Sequence, residues 1–126
     1  MDRRANRQLG EYGERLACRY LTDIGFTIVE RNWRCARGEL DIIATDGTSL
    51  VICEVKTRRS EAFGAPFEAV TPTKARRLRR LAGLWLEQSP RRPRGSGTGV
   101  DLRIDVVSIL KTGDRPARIE HLRGAA

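Results

Sequence analysis

Two β-prone runs separated by a short polar turn constrain this chain most. Leu40 to Ala44 (Leu, Asp, Ile, Ile, Ala) and Leu50 to Lys56 (Leu, Val, Ile, Cys, Glu, Val, Lys) flank Asp46 and Gly47, residue types that suit a tight reversal. The pattern predicts an antiparallel hairpin. If Asp46 to Ser49 form the loop, Thr45 falls opposite Leu50, and the same register sets Asp41 opposite Glu54 and Glu39 opposite Lys56. Side chains alternate along a strand, so Glu39, Asp41 and Ile43 are expected on one face of the first strand, and Leu50, Ile52, Glu54 and Lys56 on one face of the second. Acidic groups therefore interrupt apolar stripes. Two carboxylates facing each other across a sheet destabilise it by ~0.2–1 kcal/mol unless a cation compensates.

The flanking segments supply the rest of one domain. Leu9, Leu16, Ala17, Tyr20, Leu21 and Ile24 recur at helical spacing and Gly25 supplies a stop, which predicts a first helix over 9–24. Phe26 to Trp33 reads as a strand ending in the basic stretch Arg34 to Gly38. Arg58 to Thr73, with its prolines and the aromatics Phe63 and Phe67, reads as an ordered loop beside the hairpin's end. A second helix then starts under a Thr73 cap, with an apolar stripe of Leu78, Leu81, Ala82 and Trp85 and with Arg76, Arg77, Arg79 and Arg80 off that stripe. Ser89 to Gly99 has the composition of a mobile basic loop, and Leu102 to Leu110 that of a buried strand. The order helix, strand, strand, strand, helix, strand predicts an α/β fold, a mixed central sheet flanked by helices, with the last strand reached through a helical crossover. The domain is placed at 9–111, with 1–8 and 112–126 as flexible basic tails.

Composition narrows the partners. At 126 residues the chain has room for one core. A formal charge of +8 attracts polyanions, and only Lys56, Lys74 and Lys111 among the 24 basic residues are lysines, the rest being arginines that can grip phosphate with a bidentate fork. Nucleic acid is the expected partner, and Arg58, Arg59, Lys74, Arg76, Arg77 and Arg80 are the candidate contacts. Cys18, Cys35 and Cys53 show no CxxC spacing and His121 is the only histidine, which argues against zinc and against a disulfide framework. The charged N-terminus does not resemble a signal peptide, and no apolar run approaches the ~20 residues of a membrane span, so a cytoplasmic protein is expected.

The chemistry resides in the hairpin. Mg²⁺ and Mn²⁺ favour oxygen ligands, and Mg²⁺ is commonly held by one or two carboxylates together with substrate phosphate. Asp41 and Glu54 supply that minimum. Lys56 would bring an ammonium to the same face, where it can orient a water or stabilise a pentavalent phosphorus. On the first helix, Glu14 lies about 100° from the centre of the apolar stripe while Glu11 points about 160° away, so Glu14 is the better third carboxylate.

The helix beginning Gly10, Glu11, Tyr12, Gly13, Glu14, the run Gly38, Glu39, Leu40, Asp41, Ile42, Ile43 and the run Glu54, Val55, Lys56, Thr57, Arg58 resemble the YraN family of uncharacterised bacterial proteins. The likeness continues through Phe63, Gly64, Lys74 and Arg103 to Val107. That family looks like a member of the restriction-endonuclease-like superfamily, related to archaeal Holliday-junction resolvases with a D…ExK metal site. The resemblance implies a restriction-endonuclease-like core, with Asp41, Glu54 and Lys56 catalytic, Glu14 matching the helix-borne acidic residue, and Val55 grouped with Asp41, Glu54 and Glu14 around the metal. It also implies a DNA endonuclease using Mg²⁺ or Mn²⁺. Resolvase-like cutting of two strands would favour a homodimer.

Plainer roles compete. Glu14 can pair with a neighbouring arginine, and Glu39 can form a cross-strand ion pair that orients Lys56. Lys74 and the arginines of the second helix can form a solvated face that doubles as a phosphate track. Asp105 suits a structural ion pair, Trp85 and Cys53 the core, and Trp33 either core or a base-stacking platform. Two other function classes stand beside the nuclease: a non-catalytic basic nucleic-acid-binding accessory protein on a nuclease fold, and an RNA- or ribosome-associated protein.

Overall fold

The computed structural model describes residues 3–60, 70–89 and 101–125. The element order is α1 (Arg3–Asp23), β1 (Thr27–Cys35), β2 (Gly38–Thr45), β3 (Leu50–Arg58), α2 (Pro72–Gln88), β4 (Leu102–Leu110) and β5 (Arg118–Leu122). The five strands lie in chain order across one mixed sheet. β1, β2 and β3 form an antiparallel meander, β3 pairs with β4 in parallel, and β5 returns antiparallel beside β4. A parallel pair needs a crossover connection, and α2 lies within it as the sequence predicts. The mixed α/β architecture is therefore as expected. The aromatic loop around Phe63 and Phe67 and most of the basic loop at 89–99 lie outside the described residues.

The two faces of the sheet carry separate apolar layers. α2 covers Ile43, Leu50, Ile52, Ile104 and Val106 with Leu78, Leu81, Ala82 and Trp85. α1 covers Ile42, Ala44, Val51, Cys53, Val107 and Ile109 with Ala17 and Leu21, while Phe26 packs in the same layer. Trp85 is fully buried and its indole N–H donates to Glu30 Oε1 at 2.9 Å. Trp33 packs, partly buried, against the α2 layer. No helix among the described residues is long and apolar enough to cross a membrane.

Three boundaries differ from the sequence expectation. α1 begins at Arg3, so residues 3–8 are helix and not a flexible tail; they are mostly exposed, and Arg, Ala and Gln favour helix without adding to an apolar stripe. The supposed C-terminal tail contains β5, a short edge strand whose few apolar side chains, Ile119 and Leu122, are only partly buried. The cap of α2 is Thr71 and not Thr73: its side chain accepts from the Lys74 N–H at 3.1 Å, and Pro72 occupies the first helical turn, where its missing N–H does no harm.

A buried polar cluster locks the hairpin to the rest of the sheet. Asp105 on β4 is fully buried and accepts from Arg103 Nε at 2.8 Å, Arg103 Nη2 at 3.0 Å, His121 Nε2 at 2.8 Å and the Gly124 N–H at 3.0 Å. Burial alone would raise the Asp105 pKa; the bonds from His121, Arg103 and Gly124 overturn that and hold it at about 2. Arg103 also reaches Asp46 in the hairpin turn at 2.7 Å. His121 Nδ1 lies 3.0 Å from the Tyr20 hydroxyl, which brings α1 into the same network. Asp105 thus has the structural role expected of it.

β1 forms one edge of the sheet. Its pairing with β2 shifts register between Ile28 and Glu30, and Asn32 has a φ of 53°, a left-handed conformation within a strand.

Candidate metal centre

The hairpin adopts the expected register: Thr45 lies opposite Leu50, and pairing continues to Ile42 opposite Cys53. There the backbone pairing of β2 with β3 ends. One residue further, Asp41 meets β3 through its side chain, and Oδ2 accepts the Val55 N–H at 2.9 Å. The face alternation also breaks here. Leu40 packs in the α2 layer and Ile42, two residues on, in the α1 layer, so Asp41 sits where the strand changes phase. The regular alternation assumed for Glu39, Asp41 and Ile43 does not hold across this step.

Asp41 is crowded by like charge. Burial raises its carboxyl pKa most, Glu54 raises it further, the Val55 N–H acts in the opposite direction, and Glu14 and Glu39 add smaller increments; the result is a pKa of about 7. The acidic field at Asp41 therefore comes from the other three acidic candidates, unevenly. Glu14 reaches it because α1 lies very close to β3: a Cβ on Gly13 would overlap the Thr57 hydroxyl, so only glycine permits this approach. Among the described residues Glu14 has no ion pair with an arginine.

Glu54 has a partner that the sequence reading did not assign to it. Lys74 Nζ on α2 lies 3.2 Å from Glu54 Oε1, with the two side chains 28% and 17% exposed. Lys74 was expected on a solvated face with the α2 arginines, and it is instead turned inward. Its spacing contained the signal, since Lys74, Leu78, Leu81 and Trp85 fall at i, i+4, i+7 and i+11, one continuous helix face. With Thr73 as the cap, Lys74 is the first helical residue, and the stripe is read from Leu78 onward.

Other candidates are placed as follows. Lys56 is partly buried on β3 and, among the described residues, has no carboxylate within ion-pairing distance. The expected Glu39–Lys56 pair is not formed: Glu39 is exposed and lies 3.1 Å from Arg34 Nε, its cross-strand partner on β1, because β1 and not β3 pairs with this end of β2. Val55 has only backbone groups to offer, and its N–H is already given to Asp41. Arg76, Arg77 and Arg80 are exposed on α2, with the Arg77 side chain close to Gly38 at the start of β2. Arg58 is partly buried at the end of β3, and Arg59 reaches the Ala5 carbonyl on α1 at 3.5 Å.

Two partly buried carboxylates on adjacent strands form a hard-oxygen donor set, which fits Mg²⁺ or Mn²⁺. The raised pKa of Asp41 comes first from burial and then from its acidic neighbours, and a divalent ion would offset both. Among the described residues, no three acidic, histidine or cysteine side chains converge on a single point. The remaining ligands of such an ion would be water and substrate phosphate, as is usual for magnesium.

Residues 13–109, which include Glu14, Asp41, Glu54, Lys56 and Lys74, match the model of the uncharacterised protein family UPF0102. The chain is 54% identical over 121 residues to a UPF0102 protein of Beutenbergia cavernae, covering 96% of this chain and 98% of that one. A UPF0102 protein of Streptomyces coelicolor is 51% identical over 126 residues, covering 99% and 93%. One of Frankia alni is 47% identical over 125 residues, covering 99% of each.

Proposed function

The chain belongs to the UPF0102 family, and from that premise we propose that it is a divalent-metal-dependent endonuclease of restriction-endonuclease-like fold that hydrolyses DNA phosphodiester bonds, with branched recombination or repair DNA as its substrate. The observation that carries this reading is the placement of Asp41 against Glu54 and the Val55 N–H, with a carboxyl pushed up to about 7 by burial and by its acidic neighbours.

Asp41 and Glu54 would hold Mg²⁺ or Mn²⁺, with Glu14 completing the acidic site from α1. When bound, the ion supplies Lewis acidity at the scissile phosphate. Lys56, free of any carboxylate among the described residues, orients the attacking water and offsets charge on the pentavalent phosphorus. Lys74 is paired with Glu54 and lies beside the carboxylates that would hold the ion, where its ammonium would be available to a substrate phosphate. The arginines of α2 would draw the DNA backbone in as a salt-sensitive surface.

Purified protein should cut at least one DNA form in a panel of linear, forked and four-way substrates when Mg²⁺ or Mn²⁺ is added. Asp41→Ala, Glu54→Ala and Lys56→Ala should each abolish cutting without abolishing binding. A panel that is bound normally and never cut would sink the enzymatic reading.

The Lys74–Glu54 ion pair also favours a second reading, a basic accessory protein that binds nucleic acid without cutting it, because the pair neutralises one proposed ligand without any metal. DNA binding indifferent to metal, with cellular function unchanged in Asp41→Ala and Lys56→Ala, is the outcome that selects it.

A further inference from the structure

Beyond the carboxylates, a shallow hollow of ≈ 300 Å³ lies where the first half of α1 crosses the ends of β3 and β4, lined by Ala5, Gln8, Leu9, Tyr12, Arg59 and Lys111. Its chemistry is mixed in a specific way: an aliphatic and aromatic wall from α1, and two cations from the opposite side. Among the described residues, Arg59 reaches the Ala5 carbonyl and the Lys111 ammonium bonds the Arg115 carbonyl. Among the described residues neither cation meets a carboxylate, so both positive charges remain available to an anion. Among the described residues, no acidic side chain lines the hollow.

Its position ties it to the proposed centre. Tyr12 stands two residues before Glu14, on the helix that Gly13 seats against Thr57. Arg59 follows Lys56 by three residues, about 10 Å along an extended chain, or about three stacked nucleotides at 3.4 Å each. Lys111 is held beside it by the bond from its backbone N–H to the Arg58 carbonyl at 2.9 Å. A larger hollow of ≈ 570 Å³ at Ser60, Leu110 and Arg115 has, among the described residues, no aromatic side chain and no residue of α1 in its lining.

We propose that this hollow is a binding site for an unpaired nucleotide of a single-stranded DNA tail flanking the scissile phosphate, with the base against Tyr12 and Leu9 and the tail's phosphates on Arg59 and Lys111. The assignment rests on the nuclease reading for its place beside the cut, but not for the binding itself. Bases in a duplex are closed in the stack and present no face to Tyr12, whereas an unpaired base does, and aromatic stacking with cationic phosphate contacts is how proteins hold single strands. The site would thus select forked or tailed DNA over blunt duplex.

The test is fluorescence anisotropy in EDTA, where no cutting occurs, using a labelled duplex with an oligothymidine tail and the same duplex with blunt ends. Tyr12→Ala should weaken binding of the tailed duplex about 5- to 100-fold and Tyr12→Phe much less, with the blunt duplex little affected. Arg59→Gln combined with Lys111→Gln should lower the slope of log affinity against log salt by about 1.4, about 0.7 for each lost single-strand phosphate contact. Thermal melting by circular dichroism establishes that each variant is folded. If folded variants bind the tailed duplex with wild-type affinity and salt slope, the site does not exist. Loss of tail binding in a protein whose wild type cuts no DNA would leave this site standing and overturn only the nuclease reading.

Discussion

In metal-free protein Asp41 titrates at about 7 against 3.8 for an ordinary aspartate, so between about pH 4 and 7 the folded chain holds a proton that the unfolded chain releases. The stabilisation from this group is complete below about pH 4 and is lost as pH rises through 7. Asp41→Asn removes the effect while keeping an acceptor for the Val55 N–H. In EDTA the wild type should therefore lose about 2–4 kcal/mol relative to Asp41→Asn between pH 5 and 8, read by scanning calorimetry at both pH values. A difference that stays constant with pH would mean that Asp41 is not in the crowded environment described. Mg²⁺ should reverse the loss in the wild type and not in the variant. Lys74 gives a second expectation at this scale. It neutralises Glu54 from 3.2 Å, so Lys74→Met should tighten Mg²⁺ binding several-fold in calorimetry while lowering metal-free stability by about 1 kcal/mol. Weaker metal binding in that variant would show that Lys74 does not compete with the ion.

Between elements, the contact of α1 with β3 decides whether the helix-borne carboxylate reaches the strand-borne ones. Gly13→Ala places a methyl group on the Thr57 hydroxyl and should destabilise by about 1–3 kcal/mol in urea unfolding. Thr57→Ala, which removes the colliding hydroxyl and methyl but keeps the Cβ, should recover part of that loss, and a double-mutant cycle with no coupling would rule out the contact. The hairpin that positions Asp41 and Glu54 was legible in the sequence because strand parity and a short Asp-Gly turn leave few registers open. Lys74 was not, because reading the cap two residues late, at Thr73 instead of Thr71, set it at the first helical position, ahead of the apolar stripe. The departure from alternation at Asp41 was equally hidden, since it depends on which layer Leu40 joins, and that is settled by packing against α2 rather than by anything local to β2. β5 escaped notice because an edge strand with few buried side chains shows little periodicity, and its place is fixed by pairing with β4, between residues 8 to 16 apart in the chain.

Across the whole molecule, the Asp105 cluster connects the hairpin turn, β4, the end of β5 and α1 through Arg103, Asp46, His121 and Tyr20. Arg103→Ala would leave Asp105 buried with fewer bonds and should destabilise the chain by about 3–5 kcal/mol, measured by chemical unfolding at pH 7. Asp105 has a folded pKa of about 2, below the usual 3.8, so its contribution is present above about pH 4 and fades as pH falls through 2, the opposite sense to Asp41. A loss below about 1 kcal/mol in Arg103→Ala would show that the cluster is not what joins these elements. The sheet's other border has a different bearing on the molecule. β1 carries the shifted register at Ile28, the left-handed Asn32 and the exposed cations Arg31 and Arg34, all of which spoil it as a template for another strand. The chain is thereby guarded on that side against end-to-end ribbon growth, and two copies cutting opposite strands would have to meet through surfaces other than this border.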